Sequence, residues 1–166
     1  MRALCAEAVD PLTIRRAYSC FPSGVTAVCG LLDTRPIGLA ASSFTGVSLD
    51  PPLASVCVQN TSSTWPMLRE LPRLGVSVLG QDQEKVCRAL AAEPEDRFTD
   101  TPWEAGSTGA VFIRDATAWL DCSIHDEVPA GDHGIVLLRI HAVIAEPEAA
   151  PLIFHGSRFR KLLFAG

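Results

Sequence analysis

From Val25 to His155 the sequence is a succession of short apolar runs, each cut by Gly, Pro, Asn or Asp. A chain punctuated so often can make many strands but few long helices. Val25 to Leu32 reads as a first strand, and Asp33-Thr34-Arg35-Pro36 as a hairpin turn returning the chain through Ile37 to Ser43. Asp50-Pro51-Pro52 ends one strand and starts the next, because paired prolines cannot join a central ladder. Leu53 to Val58 is a continuous apolar run, expected to be an interior strand covered on both faces. Leu74 to Leu79 forms another strand, and Ala118, Leu120, Cys122 and Ile124 alternate with polar partners as a half-buried strand. A turn at Pro129-Ala130-Gly131-Asp132 leads to a long strand over Gly134 to Ile144, and Pro151 to His155 is a last short one.

Helical signals are fewer. Asp10-Pro11 starts a helix whose Ile14, Ala17, Tyr18 and Phe21 share one face, and shorter helices are expected over Trp65 to Glu70 and Asp82 to Ala92. Pro94 to Gly109 reads as a mobile loop and Ser157 to Phe164 as a turn or short helix. The balance predicts an all-β barrel with a few helices. One domain over residues 1–166 is expected, with residues 1–21 as a helical segment packed on the barrel. No GxGxxG follows a strand, so a Rossmann dinucleotide site is unsupported.

A formal net charge of -5 argues against a nucleic-acid binder, which needs a basic face. No apolar segment approaches the roughly 20 residues that span a bilayer, and Met1 to Cys5 lacks a secretory apolar region, so a cytoplasmic protein is expected. The six cysteines show no CxxC or zinc spacing and read as small buried hydrophobes. No metal site is expected at Cys122, His125 and His133.

The candidate site lies in Gly38 to Trp65. Gly38, Ala40, Ala41, Ser42 and Ser43 are small enough to let a ligand approach the backbone, with two hydroxyls as donors. The polar run Gln59 to Thr64 feeds a helix start that Ser63 or Thr64 is placed to cap, and such a start suits a phosphate.

Ser42-Ser43-Phe44-Thr45-Gly46-Val47-Ser48-Leu49-Asp50-Pro51-Pro52-Leu53 followed by Ser55-Val56-Cys57-Val58-Gln59-Asn60-Thr61-Ser62-Ser63-Thr64 resembles the flavin reductases that supply reduced flavin to two-component monooxygenases. Phe21 to Val25, Leu74 to Leu79, Arg97-Phe98, Ala130 to His133 and Pro151-Leu152 extend the resemblance in order along the chain. It implies an FMN-binding split barrel of Greek-key type, usually a homodimer. It also implies hydride transfer from NADH, with NADPH possible, to FAD or FMN, and a partner monooxygenase that receives the reduced flavin.

By the same resemblance, Ala41, Ser42, Ser43, Phe44 and Thr45 would hold the ring and ribityl region. Cys57, Val58 and Gln59 would line the ring, and Ser62, Ser63 and Thr64 would face the phosphate, with Arg97 adding a cation. His133 and Phe159 would meet the nicotinamide nucleotide. No residue need act as a nucleophile, since the cofactors carry the chemistry. Phe154 and Phe159 stand where many members have tyrosine, and Ala40 where threonine is frequent, so hydroxyl contacts are missing there. A flavin-retaining oxidase and a noncatalytic flavin carrier are the alternative readings.

Overall fold

The computed structural model describes residues 10–162; residues 1–9, the start of the expected N-terminal segment, and 163–166, the end of the expected C-terminal one, lie outside the described residues. In chain order the elements are α1 (Pro11–Ser19), β1 (Ser23–Gly24), β2 (Thr26–Leu32), β3 (Arg35–Ala41), β4 (Thr45–Leu49), β5 (Pro52–Gln59), α2 (Trp65–Leu68) and β6 (Leu74–Val78). There follow α3 (Glu84–Leu90), β7 (Trp103–Ala105), β8 (Val111–Ile113), β9 (Ala118–Ala130), β10 (His133–Ala145), β11 (Ile153–His155) and β12 (Arg158–Arg160). The fold is mostly β with few helices, as expected.

The main sheet is antiparallel throughout, in the order β3-β2-β6-β9-β10-β5-β4. It curls until β3 comes against β5. Inside the curl Val28, Val56, Leu74, Val76, Leu120, Val136 and Leu138 pack together, and Trp65 and Leu68 of α2 close one end. A second core lies outside β2, where Ala27 and Cys29 meet Leu79, Leu90, Val111, Ile113 and Leu152. Each large apolar side chain so buried contributes about 1.5–3 kcal/mol. β2 is therefore the strand covered on both faces, with Thr26 to Gly30 all buried.

β5 corrects one expectation. Its Ala54, Val56 and Val58 are buried, but on the alternate face Cys57 and Gln59 are exposed. An apolar run marks a strand that needs cover, and here the described residues leave the Cys57 and Gln59 end of one face open.

Two further expectations change. Within Pro94 to Gly109, Trp103–Ala105 pairs with Val111–Ile113, Trp103 packs against the second core and Thr101 is 5% exposed. This segment is anchored; three-residue strands are too short to show a period in sequence. Residues 158–160 form strand β12, not a helix, because Phe159 packs edge-on against Phe154 across the hairpin at 5.4 Å. Gly156 and Ser157 both take positive φ in its two-residue turn, the conformation that tight hairpins need.

Asp10 caps α1, its Oδ1 accepting from the backbone N–H groups of Leu12 at 2.9 Å and Thr13 at 3.1 Å. No residue of α1 is buried, and Tyr18 and Phe21 on its apolar side are 74% and 77% exposed.

Candidate functional site

The end of β3 and the uncovered face of β5 form two walls of one cleft. Leu39, Ala40, Ala41, Ser42 and Ser43 stand on one side and Cys57, Val58 and Gln59 on the other. Small side chains on β3 keep the walls apart. Leu90 and Ala91 at the end of α3, with Arg97, form a third side, and Ser62 and His133 complete an open cavity of about 380 Å³. That volume lies in the range of small-molecule sites.

The join between β3 and β5 is made by a side chain. Ser43 Oγ accepts from Cys57 N–H at 2.8 Å and donates to Cys57 carbonyl oxygen at 3.2 Å. β4 pairs with β5 only as far as Ser55, so without this hydroxyl both backbone groups of Cys57 would lack a partner on that side. Ser43 is thus occupied within the protein. The expectation of two free hydroxyl donors reduces to one, Ser42, which is exposed.

At the far end the hairpin between β9 and β10 carries His133. Its loop is Gly131-Asp132, with Gly131 at φ +67. Asn60 grips this loop twice: its N–H donates to Asp132 carbonyl oxygen at 3.0 Å and its Nδ2 to Gly131 carbonyl oxygen at 3.1 Å. Asp132 Oδ1 lies 2.7 Å from His133 Nδ1. That hydrogen bond, ahead of the imidazole's charge, holds the Asp132 carboxyl below its ordinary range. An ionised carboxylate only accepts, so Nδ1 carries the proton. Nε2 of the neutral ring is then an acceptor, and becomes a donor only when the ring is charged. No local signal in the sequence marks Asn60 as this anchor: a polar residue directly after a strand is an ordinary turn signal, and its partner lies 71 positions away.

The structure brings together Ala41, Ser42, Ser43, Cys57, Val58, Gln59, Ser62, Arg97 and His133 on the cleft wall. It places Phe44 against the inner core, Thr45 on exposed β4 opposite Ser55, and Ser63 exposed beside the wall. Thr64 is buried, with its Oγ accepting from Arg97. Phe159 lies off the wall, between Phe154 and the Arg88 guanidinium, which stands 5.1 Å from its ring centre. The cap of α2 also differs: Ser62 Oγ accepts from Trp65 N–H at 3.1 Å, while the Thr64 side chain makes no cap bond. Gly38 is not open to a ligand. A Cβ there would collide with Cys29 Sγ and lie 3.1 Å from Phe98 Cζ, so its missing side chain makes room for protein.

The donor set suits a flat, largely apolar ring with a polar tail. Cys57, Val58, Leu39 and the alanines offer a slot with few charges, and Ser42, Gln59 and Ser62 offer neutral hydrogen-bonding groups at its edges. Among the described residues no cluster of His, Cys, Asp and Glu could hold a metal ion.

Residues 18–163 match the flavin reductase like domain. The NADH-dependent FAD reductase of Streptomyces globisporus is 38% identical over 164 residues, covering 94% of this chain and 90% of its own. A flavin reductase of Pseudomonas putida is 34% identical over 150 residues, covering 90% and 88%. The chain spans 45% of the length of a longer relative in Rhizobium meliloti, "Probable flavin reductase", at 39% identity over 140 residues and 84% of this chain. Among solved structures, the Streptomyces globisporus NADH:FAD oxidoreductase SgcE6 superposes with a TM-score of 0.89 at 38% identity, covering 98% of this chain and 100% of its own. BorF, the flavin reductase component of a bacterial two-component tryptophan halogenase, gives 0.85 at 37% identity over 94% and 100%. These neighbours share the split-barrel fold that the sequence leads one to expect. The match runs through the sheet, both cleft walls and the His133 hairpin, and the chain belongs to the flavin reductase like domain family.

Proposed function

We propose that this protein is an NAD(P)H:flavin oxidoreductase that reduces FAD or FMN and releases it to a partner flavin-dependent monooxygenase. The observation that carries this reading is the uncovered face of β5, facing small side chains on β3 and ending at a histidine held in a pinned hairpin. A nicotinamide, when bound, supplies a hydride that a flavin accepts. The chain's part is to bind, orient and exclude water. Ala41, Cys57 and Val58 would line the ring, Ser42 and Gln59 would address its polar edge, and Ser62, with Ser63 and Thr64 behind it, would lie toward the phosphate. His133 would meet the nicotinamide nucleotide, accepting a carboxamide N–H at Nε2 while the ring is neutral.

NADH is favoured over NADPH because, among the described residues, the cleft is lined by a single Arg or Lys, Arg97, and no basic cluster on its wall offers a pocket for a 2′-phosphate. For Phe159 we favour support of α3 over nicotinamide contact, since its ring is already enclosed by Phe154 and Arg88. We further propose a cytoplasmic homodimer; no helix among the described residues is long and apolar enough to cross a membrane.

The test is loss of nicotinamide absorbance on mixing the protein with NADH or NADPH, with and without FAD, FMN or riboflavin. Turnover that needs added flavin and saturates with it is expected; flavin held through purification, with no response to more, would favour the retaining oxidase. His133→Ala should raise KM for the nicotinamide nucleotide about tenfold and the flavin's far less. Equal effects on both would remove His133 from its role.

A further inference from the structure

Arg97 touches three parts of the cleft at once. Its Nε donates to Ala92 carbonyl oxygen at 2.9 Å, and its Nη1 donates both to Gly38 carbonyl oxygen and to Thr64 Oγ, each at 2.7 Å. Each acceptor is a neighbour of the wall. Gly38 precedes Leu39, Ala92 follows Leu90 and Ala91, and Thr64 stands just beyond Ser62. Both hydrogens of Nη1 and the one on Nε are engaged, which leaves only Nη2 of the fork without a protein partner among the described residues.

The acceptors are neutral, and among the described residues no carboxylate forms an ion pair with Arg97. Partial burial lowers its pKa, against the opposing pull of the Glu93 carboxylate. Phe98, the next residue, lies over the bare Cα of Gly38 whose carbonyl Arg97 holds, so the pair seats as a unit on β3. Thr101 Oγ donates back to Arg97 carbonyl oxygen at 2.8 Å and fixes the backbone of this segment.

We infer that Arg97 is a positioning residue that sets the separation of β3, α3 and the start of α2 around the flavin cleft, not the counter-ion of the flavin phosphate. This rests on the reading of the cleft as a flavin site. A lysine keeps the charge but has no planar fork to reach three acceptors, so charge and geometry can be separated. The His133 hairpin hangs on Asn60 and not on Arg97, so the two substrates should respond differently.

The experiment compares the full chain with Arg97→Lys and Thr64→Val, measuring dissociation constants for riboflavin and FMN by flavin fluorescence, KM for NADH, and amide hydrogen exchange without ligand. Arg97→Lys should weaken riboflavin and FMN by the same factor, about tenfold, with KM for NADH changed less than about twofold. Thr64→Val should weaken both flavins equally by about threefold and serves alone if Arg97→Lys does not fold. A loss confined to FMN, which alone of the two carries a phosphate, would overturn the inference in favour of a counter-ion. Wild-type affinity for both flavins in Arg97→Lys, or in Thr64→Val, would overturn it as well. If the unaltered protein binds no flavin, the reading of the cleft fails and exchange decides the clamp. Faster exchange confined to residues 38–43, 62–68 and 90–92 would then support it, and an unchanged pattern would overturn it.

Discussion

His133 owes its position to a residue just beyond the end of β5. Asn60 holds both carbonyls of the loop before it, and Asp132 holds its Nδ1. Asn60→Ala should therefore raise KM for NADH about three- to tenfold while the flavin constant stays near its original value, as steady-state kinetics would show. The cysteines give a second prediction at this scale. Burial pushes the thiols of Cys29 and Cys122 up to about 12. Both are raised above the ordinary thiol value of 9.0, so the folded state keeps protons that the unfolded state loses. Their stabilising effect is complete below pH about 9 and is lost as pH rises toward 12, by at most about 1.4 kcal/mol per pH unit for each thiol. Thermal melting should fall from pH 9 upward, and Cys29→Ala with Cys122→Ala should flatten that fall while lowering the plateau.

The connection of β3 to β5 is the element on which the cleft depends. Ser43→Ala removes the two hydrogen bonds that join them and should lower stability by about 1–2 kcal/mol in denaturant unfolding, with weaker flavin binding. Most strands could be read from the sequence, since β2, β6, β9 and β10 carry apolar runs or alternation between clear turn residues. The small-residue wall and the polar run after β5 were legible for the same reason, because composition alone marks where a backbone must be approached. What sequence hid was the use of those residues. Ser42 and Ser43 are chemically alike, adjacent and both on the cleft wall, yet Ser42 keeps its hydroxyl open while that of Ser43 is taken up by the Cys57 backbone. β7 and β12 were hidden by length, being three residues each and defined by Trp103 and Phe159 reaching distant cores. The face of β5 misled in a useful way: its apolar run correctly signals a surface that wants cover, but that cover is not part of the described chain.

For the molecule as a whole, several large apolar side chains remain in solvent. Val143 and Ile144 at the end of β10 are 62% and 63% exposed, Leu49 is 96% exposed, and Tyr18 and Phe21 stand out beside α1. Exposed apolar surface of this kind marks association sites. Sedimentation should give twice the monomer mass, and Ile144→Lys with Val143→Lys should shift it toward the monomer if β10 lies in the interface. The cleft itself draws its walls from segments around residues 40, 58, 62, 91 and 133, which meet only when the long antiparallel ladder is complete. Pairings between parts so distant in sequence are made late and slowly during folding. A newly made chain therefore holds no half-formed slot to capture flavin early, because Ser42, Cys57 and His133 come together only once the sheet is whole.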